Sequence, residues 1–190
     1  MKKITAKAII VPAVSLLVIC LVATALLALT NSVTKSKIAE NSVQKENSSR
    51  SLVLPQAQEF SEVTTLENGI TYCTGTNGSD AVGYVFTSSA KGYGGTVSVM
   101  VGTDTNGTVT GIEILSHDET PGLGANSTKP EFKNRFIGKS GTLTVDKNSN
   151  DGQNVQAITA ATITSKAVVS AVNAALSAFE TIKGGATNNG

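Results

Sequence analysis

The sequence predicts an α+β fold, a small mixed sheet packed by helices, behind one N-terminal transmembrane helix. Three observations predict it. An apolar run, residues 8–29, follows Lys2, Lys3 and Lys7. Two alternating segments, residues 96–103 and 109–114, flank the turn-forming Asp104-Thr105-Asn106-Gly107. Near the C-terminal end, Val168, Val172, Ala175, Leu176 and Phe179 recur at helical spacing.

The apolar run is interrupted only by Pro12, Ser15 and Thr24. At about 1.5 Å per residue it spans roughly 33 Å, enough to cross a hydrocarbon core of about 30 Å. Pro12 falls near the start, where a helix tolerates it best. The lysines ahead of the run argue for a cytoplasmic N-terminus, with everything after the span outside. A cleaved signal peptide is the competing reading, with Ala23-Thr24-Ala25 as a cleavage-like site, but it would leave apolar residues 26–29 on the mature end. Lipid modification of Cys20 is rejected, because Leu17-Val18-Ile19 lacks the usual small residues and the apolar run continues past it. The expected division is therefore residues 1–30 for the N-terminus and span, 31–50 for a stalk, 51–183 for the folded domain and 184–190 for a flexible tail. The stalk is expected to be helical and to fray into a linker.

Within the domain, residues 69–74 and 82–87 read as short strands, followed by the hairpin. Residues 130–137 read as a short helix with Phe132 and Phe136 on one face and Lys129, Glu131, Lys133 and Arg135 on its solvated side. Leu143 and Val145 mark another strand, and residues 148–153 a polar loop. The last helix follows Thr162 and is expected to end at Gly184-Gly185.

Composition excludes several classes of function. The formal net charge is +1, which gives no basis for a nucleic-acid surface. Two cysteines and one histidine are too few for a zinc or iron–sulfur site. Cys20 lies in the apolar run and Cys73 in a strand, so they are not expected to pair. His117 reads as a turn residue at a strand end. No nucleophile–base pair and no paired carboxylates stand at a meaningful spacing.

Two segments carry the chemistry. Thr159-Ala160-Ala161-Thr162, then Ile163-Thr164-Ser165, puts small residues and hydroxyls where the last helix begins. A helix start offers unpaired N–H groups and partial positive charge to a phosphate, and a threonine oxygen there could be esterified to one. Taken alone, the segment reads as simple helix capping. The second segment, Asp118-Glu119-Thr120-Pro121-Gly122-Leu123-Gly124, is a polar turn after the hairpin's second strand.

Together with the glycine-rich Gly92-Tyr93-Gly94-Gly95 and the anchor, these segments resemble the FMN-binding domain of the G subunit of Rnf electron-transport complexes, and of the related C subunit of the sodium-pumping NADH:quinone reductase. That family has an E-T-P-G-L-G turn and a [ST]-[GA]-A-T element whose last threonine carries FMN through a phosphoester. Here Ala160 stands at the Gly/Ala position, and Gln156 where an acidic residue often precedes the element. The resemblance implies covalent FMN on Thr162, a cofactor contact at Thr159, phosphate hydrogen bonds from Thr164 and Ser165, and the turn lying along the isoalloxazine. Gly122 and Gly124 would allow close backbone approach, Leu123 would touch the ring face and Thr120 its polar edge. Glu119 would be either a flavin contact or an acid that stabilises the turn. It also implies a flavin transferase for maturation and membrane and iron–sulfur subunits as partners. The complex would be a redox-driven ion-translocating ferredoxin:NAD oxidoreductase, in which this protein is an electron carrier on the extracytoplasmic side of the cell membrane. Two rivals remain: the same domain in another extracytoplasmic electron-transfer or regulatory chain, and a cofactor-free anchored binding or cell-wall module.

Overall fold

A computed structural model describes residues 6–187. The chain divides into two compact units, Met1–Gln44 and Lys45–Gly190. Helix α1 (Ala6–Val53) supplies the described part of the first and the opening of the second.

In the first unit, residues Ile10–Lys35 are long and apolar enough to cross a membrane. Leu16, Leu17, Val18 and Ile19 are consecutive and all more than half exposed, so the apolar surface covers the whole circumference of the helix. Such a helix has no polar face to turn to water, and hydrocarbon suits it. The hydroxyls of Thr24, Thr30 and Thr34 donate to the carbonyls of Cys20, Leu26 and Thr30 at 2.7–2.9 Å, which keeps them satisfied without solvent.

The second unit is built on an antiparallel sheet in the order β1 (Glu59–Phe60), β3 (Thr71–Asn77), β4 (Asp80–Lys91), β5 (Thr96–Asp104), β6 (Val109–Ser116), with β2 (Thr64–Thr65) also on β3. A 3₁₀ turn (Gly124–Thr128), helix α2 (Pro130–Lys133) and a second 3₁₀ turn (Asn134–Phe136) follow β6. Strands β7 (Thr144–Asp146) and β8 (Asn154–Gln156) form a separate parallel pair, so the parallel component of the expected mixed sheet sits in its own ribbon. Helix α3 (Thr162–Thr187) closes the fold.

Alternation along the strands separates two apolar layers. Phe86, Val97, Val99, Val101, Ile112 and Ile114 face α3, where Val168, Val172, Ala175, Leu176 and Phe179 are buried as their spacing predicts. Ser88 Oγ donates to Ala171 O at 2.8 Å and pins the helix to β4. Phe132 and Phe136 join this core edge to face, with centroids 5.4 Å apart. On the opposite face, Cys73, Val85 and Met100 cover Val53 and Leu54. Burial pushes the Cys73 thiol up despite the nearby Arg50 guanidinium, and both cysteines are free.

Val53 and Leu54 lie in a path of glycines. Gly75 pairs with Gly83, and Gly102 with Gly111. A Cβ at Gly75 or Gly83 would run into the Leu54 side chain, and one at Gly102 or Gly111 into the Val53 backbone. This seat explains why the stalk does not fray as expected. Thr110 Oγ1 donates to Val53 O at 2.5 Å, and Lys45 Nζ donates to Ile114 O and Leu115 O. Arg50 pairs with Glu46 one turn back. With its last turns held by these contacts, α1 continues to Val53.

Other boundaries also move. Strands β3 and β4 extend beyond the predicted runs, around a two-residue turn in which Gly78 takes φ +64°. The predicted helix 130–137 splits into α2 and a 3₁₀ turn. Its charges are not all solvated: Lys133 pairs with Glu113 at 2.5 Å, both largely buried. Helix α3 passes through Gly184 and Gly185, because glycine costs a helix only about 1 kcal/mol and does not break its hydrogen bonding. Of the expected tail, residues 188–190 lie outside the described residues.

The glycine path makes a specific prediction. Gly102→Ala should destabilise the folded domain by about 1–3 kcal/mol, because the backbone it meets cannot swing aside. Denaturant unfolding of the detergent-solubilised full chain checks this; unchanged stability would contradict the seating of Val53.

Candidate functional site

Antiparallel register brings the functional segments together. Lys91 faces Thr96, so residues 92–95 turn at one end of the sheet, and Ser98 faces Ser116, so β6 exits at that same end. Residues 117–124 therefore pass beside the glycine-rich turn. Helix α3, lying on β4 and β5, begins there too.

Glu119 joins the three. The residue is 6% exposed. Oε1 accepts the N–H groups of Tyr93 (2.8 Å) and Gly94 (3.2 Å), and Oε2 accepts the Thr164 hydroxyl at 2.6 Å. The Glu119 N–H donates to His117 Nδ1 at 3.2 Å. These bonds tie the turn together, and Glu119 also borders the cavity described below. The glycines around it are explained by crowding. A Cβ at Gly92 would meet Glu119 Oε1, one at Gly94 or Gly95 would meet Asp118, and one at Gly124 would meet both Glu119 and Thr164. Burial by itself raises the Glu119 pKa. The hydrogen bonds from Thr164, Gly94 and Tyr93, with the nearby His117, outweigh it and hold the carboxyl below its ordinary value.

Beside this junction lies a cavity of about 460 Å³, within the range of small-molecule sites. Glu119, Thr120, Leu123, Gly124, Thr162 and Thr164 line it, which unites most of the residues singled out from the sequence. Tyr93, Ala160, Ala161 and Ile163 line it as well and were not singled out as contacts. Tyr93, Leu123 and Ile163 are 73%, 42% and 54% exposed, so the rim presents apolar surface to a planar ligand.

Three expected contacts are placed differently. Gly122 and Thr159 line an adjoining hollow, together with Lys129 and Arg135. Gly122 has φ +78° with open space around it, so its glycine serves the turn. Ser165 is fully buried; its hydroxyl donates to Ala161 O and accepts the Ile158 N–H. The Thr164 proton goes to Glu119. In this arrangement both hydroxyl protons have internal acceptors, Glu119 Oε2 for Thr164 and Ala161 O for Ser165.

Thr162 differs from its neighbours. It is the first residue of α3, half-exposed in the cavity wall, and its hydroxyl has no hydrogen bond among the described residues. The Ser165 N–H makes the first helical bond, to Ala161 O. Ala161 has no side-chain acceptor with which to cap, so the N–H groups of Thr162, Ile163 and Thr164 are the open donors of a helix start. The segment before the helix is braced by Arg135, whose Nη1 donates to Gln156 O at 2.6 Å, and not solvated as expected. Ala160 takes φ +60°, the left-handed region, which is where a glycine alternative in the motif makes physical sense. These donors, the free hydroxyl and the apolar rim suit an alkyl phosphate that carries a planar aromatic ring system, such as FMN.

The Glu119 junction and the strained Ala160 are each open to test. Glu119→Ala leaves two N–H groups and a hydroxyl without their acceptor and should cost about 3 kcal/mol, whereas Glu119→Gln retains an acceptor and should cost about 1 kcal/mol. Because the carboxyl is depressed in the folded state, its contribution is present above the ordinary glutamate range and is lost as pH falls through the depressed value. Unfolding free energy measured against pH should show that acid loss in the wild type and less of it in Glu119→Gln; identical profiles would contradict it. Ala160→Gly relieves the left-handed strain and should stabilise the domain by about 0.5–1 kcal/mol, read as a rise in melting temperature.

Comparison with known proteins agrees with the geometry. The FMN-binding domain family matches residues 92–177, and the RnfG N-terminal region matches residues 1–51. The chain is 34% identical to the G subunit of the proton-translocating ferredoxin:NAD(+) oxidoreductase complex of Clostridium ljungdahlii, over 90% of this chain and 91% of that one. It is 37% identical to the Na(+)-translocating counterpart of Acetobacterium woodii, over 88% and 89%. It is also 36% identical to the G subunit of an ion-translocating oxidoreductase complex of Methanosarcina acetivorans, over 86% and 90%. Among solved structures, it is similar to the C subunit of the Na(+)-translocating NADH-quinone reductase from Parabacteroides distasonis, with TM-score 0.50 and 27% identity over 57% of this chain and 59% of that one. With anchor, turn and threonine element all inside these matches, the chain belongs to the family of G subunits of Rnf ion-translocating oxidoreductase complexes, and its folded unit is an FMN-binding domain.

Proposed function

We propose that this protein relays electrons through an FMN whose phosphate is esterified to Thr162 Oγ, within a membrane complex that couples ferredoxin:NAD oxidoreduction to ion movement. The observation that carries the covalent reading is the contrast among the hydroxyls at the start of α3. Thr164 and Ser165 are buried and internally bonded, while Thr162 is open to the cavity beside the helix N–H groups. Those N–H groups would neutralise the phosphate, as helix starts do for anions. The ester takes no part in electron transfer; its use is retention of a cofactor on the side of the membrane where a dissociated one is lost. FMN, when bound, supplies the redox chemistry that no side chain of this chain offers.

The residues present have definite tasks. Thr120, Leu123, Ile163 and Tyr93 form the cavity surface against which the ring would lie, and Glu119 holds the three walls in register. The apolar span at residues Ile10–Lys35, with lysines before it, supports a cytoplasmic N-terminus and an extracytoplasmic FMN domain. Maturation then requires a flavin transferase. Membrane and iron–sulfur subunits of the same complex are the inferred electron donors and acceptors.

The test is the intact mass of the full chain purified from membranes of cells that carry the transferase. Wild type should exceed its sequence mass by FMN less one water, and Thr162→Ala should show no such gain. A wild type of bare sequence mass overturns the covalent reading.

A further inference from the structure

The turn between β4 and β5 is built to present one side chain. Gly92, Gly94 and Gly95 press so closely on residues 118–119 that a Cβ at any of them would collide with Glu119 or Asp118. The Gly92 N–H closes the turn on Gly95 O at 2.7 Å. Between them stands Tyr93. Its N–H is fixed to the buried Glu119 carboxylate, which in turn holds Thr164 in the first turn of α3. The Tyr93 backbone is thus one carboxylate away from the helix that carries Thr162, while the residue as a whole is 73% exposed and lines the cavity.

The other two tyrosines have different surroundings. Tyr72 packs its ring on Phe86, and Tyr84 packs on Phe86 and Phe179, both against the core. Tyr93 makes no ring contact of that kind among the described residues, and it is the one aromatic side chain lining the cavity. A turn this tightly held, offering an aromatic ring with no ring partner among the described residues, is suited to a planar aromatic ligand.

Resting on the covalent FMN reading, we propose that the Tyr93 ring packs against the isoalloxazine and covers it from solvent, as a positioning residue for the cofactor. The phenol forms no bond to the ring system and transfers no proton. Its contribution is contact area, exclusion of water and a defined ring orientation relative to the helix start. Substitution at Tyr93 leaves its N–H, and hence the Glu119 junction, in place, so the fold does not depend on the ring.

Flavin fluorescence reads this contact directly, since a phenol or indole packed on an isoalloxazine quenches its emission, and the chain has no tryptophan to interfere. The experiment compares full-length wild type, Tyr93→Ala, Tyr93→Phe and Tyr93→Trp, all purified in detergent from cells that carry the transferase. FMN loading is first established by intact mass. Tyr93→Ala should show a several-fold rise in emission per bound flavin and a several-fold rise in its quenching by iodide. Tyr93→Phe should raise emission yet keep iodide out, because bulk is retained without an oxidisable ring. Tyr93→Trp should restore low emission. Equal emission and equal iodide quenching in fully loaded wild type and Tyr93→Ala would overturn the proposal and leave covalent attachment standing. A wild type without FMN by mass would overturn both.

Discussion

The carboxylate of Glu119 is the constraint on which the site depends. Three segments far apart in sequence end at its two oxygens: the β4–β5 turn through Tyr93 and Gly94, the post-β6 turn that carries Glu119 itself, and α3 through Thr164. A buried charge is tolerated only when its oxygens are well satisfied, and here three donors converge on them. The neighbouring composition follows from that demand. The glycines at 92, 94, 95 and 124 are the residues that let the chain come close enough to supply these donors. A motif that reads as flexible is, in three dimensions, tightly packed.

The sheet sets the place where this junction forms. Its register puts the β4–β5 turn and the exit of β6 at one end, and the apolar face of α3 brings a helix start to that end. The opposite face receives Val53 and Leu54 in a path of glycines, and Lys45 reaches the carbonyls of Ile114 and Leu115 just before the site-bearing turn. The last turns of α1 therefore belong to the scaffold that holds β6 and the residues following it.

Part of the site was legible in the chain itself. The lysines and apolar run of the anchor, the hairpin around Asp104–Gly107 and the buried stripe of α3 follow from periodicity and turn chemistry, which act over a few residues. The two motif segments, Glu119–Gly124 and Thr159–Thr162, could be read as a pair only through family resemblance, since each alone is a turn or a cap. Tyr93 was visible in its glycine setting, but its place in the cavity was not. Sequence spacing also could not show that Thr164 and Ser165 turn inward while Thr162 faces the cavity, because that depends on which residue starts the helix.

By itself, then, the sequence determined the local elements: a membrane-length apolar helix, alternating strands, a final amphipathic helix and small residues where backbones must crowd. These depend on solvent partition and on contacts between near neighbours. Tertiary structure decided the continuation of α1 to Val53, the bracing of Gln156 by Arg135, the pairing of Lys133 with Glu113 and the junction at Glu119. Each of these is a contact between segments separated by tens of residues, whose partners are chosen by strand register and by the packing of helices on the sheet. No local pattern encodes that choice, so the chemistry of the site became readable only once the sheet had placed its three walls together.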